Sequence, residues 1–231
     1  MTRTERTYYV VNAGWCVSWA VGPVYPLFLR SRGLDLFEAN LVFAVFLATN
    51  FLFEVPTGAV ADLAGRKVSF ILACVVRTVA FTRYAFAENF TDFVVAEVID
   101  AIGQTLASGA LEAWAVDGVR SEGDHRPTDR MFARAQIVAR SVMIGGGIGF
   151  GYVADLDIRL IWFVGAANYA ITGIVASLLM HEPRSAKAAR WHEAHRSVAR
   201  TAVDGFRAVR DTPVVATLCV LGYARQRKSR C

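Results

Sequence analysis

The chemically distinctive residues of this chain are acidic and polar side chains that interrupt a long apolar segment, residues 93–116. They recur at steps of three or four positions, which in an α-helix places them on one face about 120° wide. We call this set the acidic stripe: Glu97, Asp100, Gln104, Ser108 and Glu112. A carboxylate in apolar surroundings binds a proton, binds a cation or pairs with a basic side chain. Exposure of such a group to lipid is costly, so we expect the stripe to face protein or a water-filled path.

Neighbouring apolar segments supply basic partners at Arg77 and Arg140, and an ion pair between helices is the structural alternative to a functional role. A further acid, Glu54, lies one helical turn after Asn50 in another apolar segment. Burial favours the neutral form of a carboxylate, which lets it exchange protons under physiological conditions. We hypothesise that Glu54 and Asp100 couple protons. The full set of proton-coupling candidates is Glu54, Asp100, Glu97 and Glu112.

The composition of the whole chain is typical of a membrane protein. Of its 231 residues, 55% are hydrophobic and 19% are charged, whereas soluble domains contain about 25% charged residues. Six apolar stretches are long enough to cross the roughly 30 Å hydrocarbon core as helices. They are residues 8–29, 39–61, 68–86, 93–116, 132–153 and 160–180. The predicted fold class is an all-α membrane protein in which six transmembrane helices form one bundle.

The distribution of Lys and Arg between the apolar stretches predicts the orientation of the chain. Fifteen lie on the side of the N-terminus and four on the opposite side. Basic residues concentrate on the cytoplasmic side of membrane proteins. We therefore expect a multi-pass protein of the plasma membrane, with the N-terminus and residues 181–211 in the cytoplasm.

The C-terminal part of the chain has a different composition from the six apolar stretches. We expect three parts: a bundle at residues 1–180, a basic cytoplasmic linker at 181–211, and the start of a seventh helix at 212–231. Within the last part, an apolar run of residues 214–224 is too short to cross a bilayer and is followed by a polar tail. The sequence therefore predicts a chain truncated at the start of the seventh helix.

Other classes of function receive little support from the sequence. We find no nucleophile with a nearby base, no metal-ligand cluster and no phosphate-binding loop in a suitable setting, so we expect neither an enzyme nor a cofactor. Positive charge is scattered between the apolar stretches, and a nucleic-acid partner is not expected. The glycines of the fifth stretch, Gly145, Gly147, Gly149 and Gly151, have the spacing of closely packed membrane helices.

The connection between the second and third apolar stretches carries the most specific motif. Two glycines bracket an acid and a basic pair follows, in the order Gly58, Asp62, Gly65, Arg66 and Lys67. This motif resembles the signature loop of the major facilitator superfamily, in the position where that family carries it. Residues 53–62 and 108–117 are similar to segments of drug-efflux-like members, although Leu63 stands where the family often has Arg.

The resemblance implies the N-terminal half of a transporter, completed by a C-terminal six-helix half or by a homodimer partner. It implies that the loop acts as a gating latch, with Arg66 as the partner of Asp117. It also implies a central cavity, for which the lining candidates are Asn12, Trp15, Trp19, Asn50, Arg77, Gln104 and Arg140. Aromatic packing between helices accounts equally well for the tryptophans.

The function expected from this resemblance is secondary active transport in a lipid bilayer, by proton-coupled efflux of small organic compounds. Uptake of a nutrient such as a sugar or an organic acid is one alternative, because the same fold performs it with different cavity residues. A transporter fragment without activity of its own is another.

The predicted topology is testable by single-cysteine labelling in a variant whose four native cysteines are replaced by serine. A membrane-impermeant maleimide should label Asp157→Cys in intact cells and Arg126→Cys only after permeabilisation, because a transmembrane helix separates the two positions. Labelling of both positions from the same side would contradict the six-helix topology.

Overall fold

The computed structural model describes residues 1–124 and 126–181, and every regular element within them is a helix. The α-helices are α1 (Arg3–Val17), α2 (Tyr25–Ser31), α3 (Leu36–Ala64), α4 (Arg66–Ala85), α5 (Phe90–Ala107), α6 (Ala110–Ser121), α7 (Asp129–Leu156) and α8 (Leu160–Leu179). A short 3-10 helix, Ser18–Val21, lies between α1 and α2.

Five helical stretches of the described chain are long and apolar enough to cross a membrane. They are α3, α4, α5 together with α6, α7 and α8. They coincide with the second to sixth apolar stretches of the sequence. The predicted all-α membrane fold is therefore confirmed.

The first apolar stretch is not the continuous helix that its hydropathy predicts. Helix α1 ends at Val17, the 3-10 helix follows, and α2 begins only at Tyr25. Pro23 lacks the backbone N–H that an α-helix would need at this position, so the helical ladder is interrupted. The Asn168 side chain on α8 compensates for the break, donating hydrogen bonds to the Gly14 carbonyl (2.7 Å) and the Ser18 hydroxyl (2.8 Å).

The fourth apolar stretch is also interrupted. Helix α5 ends at Ala107, and Gly109 adopts a left-handed conformation with φ of 69° before α6 begins. This conformation is accessible to glycine at little cost, which explains why the break falls here. The continuous helix predicted for residues 93–116 is therefore wrong at Ser108 and Gly109.

Local sequence also fixes the ends of α3. Asp35 accepts a hydrogen bond from the Glu38 backbone N–H, and the Glu38 side chain accepts one from the Asp35 N–H, which forms a capping box. At the other end, Gly65 has a φ of 101° and separates α3 from α4. A left-handed φ favours glycine, so this residue allows the sharp turn between the two helices.

Helix α4 is at the centre of the bundle and packs against both α5 and α8. Its buried face meets aromatic side chains from the other helices: the Tyr84 ring stacks on Trp162 at 4.4 Å, and Phe81 lies edge-on to Tyr169 at 5.0 Å. Trp15 from α1 contacts Phe70 of α4 at 5.2 Å. Pairs of this kind stabilise a core beyond the area that they bury.

Several chain segments meet at one end of the bundle, which we call the Arg66 end. The N-terminus reaches the residues after α6 through Thr4 and Glu122. The end of α8 joins them through Lys67, whose ammonium donates to the Ser177 carbonyl at 2.7 Å. The Trp114 indole likewise donates to the His181 carbonyl at 2.9 Å. These contacts place on one end the segments that the predicted topology assigns to one side of the membrane.

Helices α3 and α7 bury little of their surface within the described bundle. The close helix contact predicted for Gly145, Gly147, Gly149 and Gly151 is not formed within the described bundle, because no described residue beyond the adjoining part of α7 lies within 4 Å of a Cβ added at these positions. Gly146 is the glycine of this run that faces a described neighbour, Ala20, at 3.0 Å. These glycines therefore form part of an outer surface of the bundle.

Two predicted parts of the chain, the linker at 181–211 and the start of a seventh helix at 212–231, lie outside the described residues apart from His181. Both stay predictions.

Helix α5 lies close against α4 at Gly103. A Cβ added there would lie 2.5 Å from the Arg77 Cγ and 3.3 Å from the Ala73 carbonyl oxygen. We expect Gly103→Ala to lower the free energy of unfolding by about 1–3 kcal/mol, because overpacking displaces side chains that have no room to move. Gly147→Ala is the matched control, since no described residue beyond the adjoining part of its own helix lies within 4 Å of a Cβ added there. The thermal unfolding midpoint in detergent measures the effect, and equal midpoints for both variants would contradict the packing described.

Candidate functional site: an aromatic cavity with a buried ion pair

A cavity of about 220 Å³ lies beside the break in the first apolar stretch. The 3-10 helix, α2, α3, α4, α5 and α8 all contribute to its wall. Its lining is mainly aromatic and includes three charged side chains. The lining residues are Ser18, Trp19, Val21, Gly22, Tyr25, Phe43, Phe46, Arg77, Phe81, Tyr84, Glu97, Asp100 and Trp162.

A buried ion pair between Arg77 and Asp100 forms one side of this cavity. The guanidinium donates through Nε to Asp100 Oδ1 at 2.7 Å and through Nη2 to Oδ2 at 2.8 Å. A third bond runs from Nη1 to the Gln104 amide oxygen at 2.9 Å. The side chains are only 5% and 8% exposed. Such bidentate geometry offsets part of the cost of removing both charges from water.

Aromatic rings surround the same guanidinium. Its central carbon lies 4.7 Å from the ring centroid of Tyr169, 5.1 Å from Trp15 and 5.3 Å from Trp19. Phe81 is slightly farther, at 5.6 Å. The negative faces of aromatic rings attract cations at these distances. Arg77 therefore ties α1, the 3-10 helix and α8 to α4.

Glu97, one turn before Asp100 on α5, has different partners. It is 3% exposed, and its Oε1 accepts a hydrogen bond from the Tyr25 hydroxyl at 2.5 Å. Among the described residues, no Lys, Arg or His forms an ion pair with it. Glu97 is thus a buried acid whose hydrogen-bond partner is a neutral hydroxyl.

The structure brings together only part of the acidic stripe. Glu97 and Asp100 are buried and Gln104 is half-buried. Ser108 and Glu112 are exposed. The break at Gly109 changes the helical phase, so the spacing that predicted a face shared with Glu112 does not apply beyond Ala107.

Three other predicted residues do not join this cavity. Glu54 is exposed on α3, so the burial expected for it is wrong within the described bundle, and its nearest polar contact is the Ser108 hydroxyl at 3.5 Å. Arg140 is exposed on α7 and does not pair with the acidic stripe. The Asn50 amide donates to the Phe46 carbonyl of its own helix at 2.9 Å.

The three cavity-lining candidates of the first apolar stretch lie in different surroundings. Asn12 and Trp15 are buried outside the cavity lining, and Trp15 packs edge-on to Tyr169. Trp19 lines the cavity and is 39% exposed. Tyr25 also lines the cavity, and it is not among the site residues predicted from the sequence. The signal that identifies it is its position directly after the break that Pro23 imposes.

The residues of the predicted gating loop lie at the Arg66 end. The Arg66 guanidinium pairs with the Asp117 carboxylate, as the loop motif predicts, and also donates to the Ala113 carbonyl at 2.5 Å. Asp62 and Gly58 are exposed on the last turns of α3. The role of this loop as a latch stays a prediction.

A second polar contact at the Arg66 end joins the N-terminus to the residues after α6. The Glu122 carboxylate accepts hydrogen bonds from both the backbone N–H and the hydroxyl of Thr4. Partial desolvation raises the pKa of Glu122. The hydrogen bonds it accepts, including those from Thr4, together lower the pKa by more than desolvation raises it, so the net shift of the pKa is downward. The contact is therefore strongest with Glu122 ionised, as it is at neutral pH.

A bundle of membrane-spanning helices with buried acids beside a cavity is typical of helical membrane transporters. A sequence profile described as Major Facilitator Superfamily matches residues 11–225. The chain belongs to the major facilitator superfamily, and its relatives are transporters and not enzymes.

Two curated relatives illustrate this relationship. The uncharacterized MFS-type transporter YxaM of Bacillus subtilis is 27% identical over 70% of this chain and 39% of its own length. The quinolone resistance protein NorA of Staphylococcus aureus is 22% identical over 70% of this chain and 41% of its own length. The chain thus aligns with about two-fifths of these relatives.

The fold has a counterpart among solved structures. The crystal structure of the nucleoside transporter NupG superimposes with a TM-score of 0.75, at 13% identity, over 95% of this chain and 53% of that chain. At this identity the similarity concerns the fold.

The buried ion pair makes a prediction about stability. Asp100→Asn leaves Arg77 charged and without its carboxylate, and we expect a loss of about 3–5 kcal/mol in the free energy of unfolding. Replacing both residues, as Arg77→Met with Asp100→Leu, should recover most of this loss because no buried charge is left unpaired. Arg126→Gln, which removes an exposed pair with Asp124, should leave the thermal midpoint unchanged. An Asp100→Asn protein as stable as the wild type would contradict the structural role.

Proposed function

We propose that this six-helix bundle is the N-terminal half of a proton-coupled exporter of small organic compounds in the plasma membrane. Family membership supplies the transport class, and the similarity to NorA, a quinolone resistance protein, supports efflux. Because the chain spans about two-fifths of its curated relatives, the proposal includes a second bundle, provided by further chain or by a second copy.

The observation that carries the coupling role is the contrast between Glu97 and Asp100. Asp100 is held by two hydrogen bonds from a buried guanidinium, so the pair keeps its charges together. Glu97 has a hydroxyl partner and faces a cavity. An acid without a cationic partner gains and loses a proton more readily than one locked in an ion pair. We therefore assign the coupling proton to Glu97 and a positioning role to Asp100.

The other sequence candidates fit this proposal less directly. Glu54 and Glu112 are exposed on the surface of the bundle, where a second bundle would cover them. They are candidates for a cavity between the two halves, together with Arg140 and Asn50.

The Arg66 end supports a gating role in the same proposal. The ion pair between Arg66 and Asp117 joins the start of α4 to α6, and Asp62 is exposed beside it. The pair is partly exposed to solvent, and such a contact suits a latch that forms in one state and parts in another. With the predicted topology, this latch lies on the cytoplasmic side.

Proton coupling is testable in membrane vesicles that carry the protein in its native context. Addition of a transported organic compound should move protons in the wild type, and Glu97→Gln should abolish this movement because glutamine has no exchangeable carboxyl proton. Glu88→Gln, at an exposed position of the loop before α5, is the matched control and should behave as the wild type. A pH-sensitive dye reports the proton movement.

The amount of a fluorescent organic compound that intact cells retain reports the direction of transport. Lower retention on expression supports efflux, and higher retention identifies an uptake carrier instead. Full proton coupling in a Glu97→Gln protein that reaches the membrane in normal amounts would refute the assignment of Glu97.

A further inference from the structure

A groove of about 590 Å³ lies at the Arg66 end, between the start of α1 and the start of α7. We call it the basic groove, and the residues that line it include Met1, Glu5, Arg126, Arg130, Met131 and Arg134. An adjoining groove of about 600 Å³ shares Arg126 and Asp129 with it and adds Arg120. We infer that the basic groove binds the phosphate group of an anionic phospholipid. This inference goes beyond the proposed function, because it concerns neither the direction of transport nor its coupling.

Four arginines line the two grooves. Arg126 is already paired, since it donates to the two carboxylate oxygens of Asp124 at 2.9 Å and 2.6 Å. Arg120, Arg130 and Arg134 are exposed, and none of them forms an ion pair with a described carboxylate. A guanidinium presents its donors in a planar fork that matches the oxygens of a phosphate. Three such groups are therefore available to an anion.

The carboxylates of the two grooves do not cancel this charge. There are three of them, against four guanidinium groups. Asp124 is held by Arg126, and Glu5 accepts a hydrogen bond from the Tyr9 hydroxyl at 2.8 Å. Asp129 is the third. The grooves thus carry a net positive charge, which raises the local concentration of anions.

The position of Arg130 and Arg134 suits a lipid head group. The two residues are one turn apart on α7, so they lie on one face of the helix. Arg134 belongs to the start of the fifth apolar stretch, residues 132–153, and Arg130 precedes that stretch. Their guanidinium groups are therefore expected at the level where hydrocarbon meets the head groups. With the predicted topology this is the cytoplasmic leaflet, which attracts basic residues through its anionic lipids.

The same face of α7 continues as an apolar stripe. Ile137, Ile144 and Ile148 are 66%, 69% and 61% exposed. At about 100° per residue they lie within roughly 40° of Arg130 around the helix. An acyl chain can lie along such a stripe, whereas free phosphate makes no use of it. Guanidinium groups at the end of an exposed apolar stripe therefore favour a phospholipid over inorganic phosphate.

This stripe differs from the faces of α7 that have other roles. Ala135 and Ala139 are buried against the bundle and lie on roughly the opposite side of the helix. Arg140, a candidate for the cavity between two bundles, is about 80° from Arg130 around the helix. Helix α7 can therefore contact a lipid and a second bundle on different faces.

Native mass spectrometry of the purified chain in a neutral detergent tests this inference with two lipids. Phosphatidylglycerol carries a net negative charge, and phosphatidylcholine with the same acyl chains carries none. We expect one phosphatidylglycerol molecule to bind at a concentration at least tenfold lower than phosphatidylcholine requires. Arg130→Gln with Arg134→Gln should remove this preference. Arg3→Gln with Arg6→Gln, which removes two exposed charges of the same end outside the grooves, should retain it.

A second pair of variants tests the apolar stripe. Ile137→Ala with Ile144→Ala should weaken phosphatidylglycerol binding several-fold, because the acyl chain loses contacts. Ile171→Ala with Leu178→Ala, at 59% and 70% exposed positions of α8, is the matched control and should bind as the wild type. Inorganic phosphate at millimolar concentration should leave the bound lipid in place.

Three outcomes would overturn the inference. One is equal binding of the two lipids by the wild type. Another is a preference for phosphatidylglycerol that survives in the Arg130 and Arg134 variant at an unchanged thermal midpoint, or that is lost equally in the Arg3 and Arg6 control. The third is full displacement of the lipid by inorganic phosphate together with wild-type binding by the Ile137 and Ile144 variant, which would identify a site for free phosphate.

Discussion

The buried ion pair of Arg77 and Asp100 is the interaction on which the rest of the bundle depends. A guanidinium inside an apolar bundle is tolerated only if its charge and its donors are satisfied. Here α5 provides the carboxylate and the Gln104 amide, while α1, the 3-10 helix and α8 provide aromatic faces. Gly103 allows α5 to lie directly against the Arg77 stem. One charged residue thereby contacts four other parts of the chain from its position on α4.

The same interaction explains the character of the cavity. Because Asp100 is already paired, the neighbouring acid Glu97 is the one whose charge is not compensated by a described cation. The break in the first apolar stretch places Tyr25 beside that acid and Trp19 beside the guanidinium. Asn168 stabilises this break, since its amide donates to the Gly14 carbonyl and to the Ser18 hydroxyl. Local unwinding and a buried charge are therefore parts of one arrangement.

The loop motif and the acidic stripe show which residue positions can be predicted from sequence patterns and which cannot. The pairing of Arg66 with Asp117 could be predicted because both belong to short motifs at helix ends, where neighbours are few. The shared face of Glu97 and Glu112 could not, since periodicity assumes an unbroken helix and Gly109 interrupts it. The expected burial of Glu54 failed for another reason. Hydropathy identifies a membrane helix but not which of its faces the bundle covers.

What the sequence by itself determined is the class of structure: apolar stretches of the length of a bilayer and basic connections predict a helical membrane protein, and the resemblance of the signature loop implies a transporter. Hydropathy, charge distribution and a local motif are properties of consecutive residues, so they can be read without knowledge of which helices contact each other. Only the tertiary structure decided that Arg77 forms an ion pair with Asp100, while Glu97 accepts a hydrogen bond from Tyr25. It also decided that Arg140 is exposed and does not line the cavity. The choice depends on distances between helices that are far apart in sequence, and a difference of one helical turn exchanges a paired acid for an unpaired one.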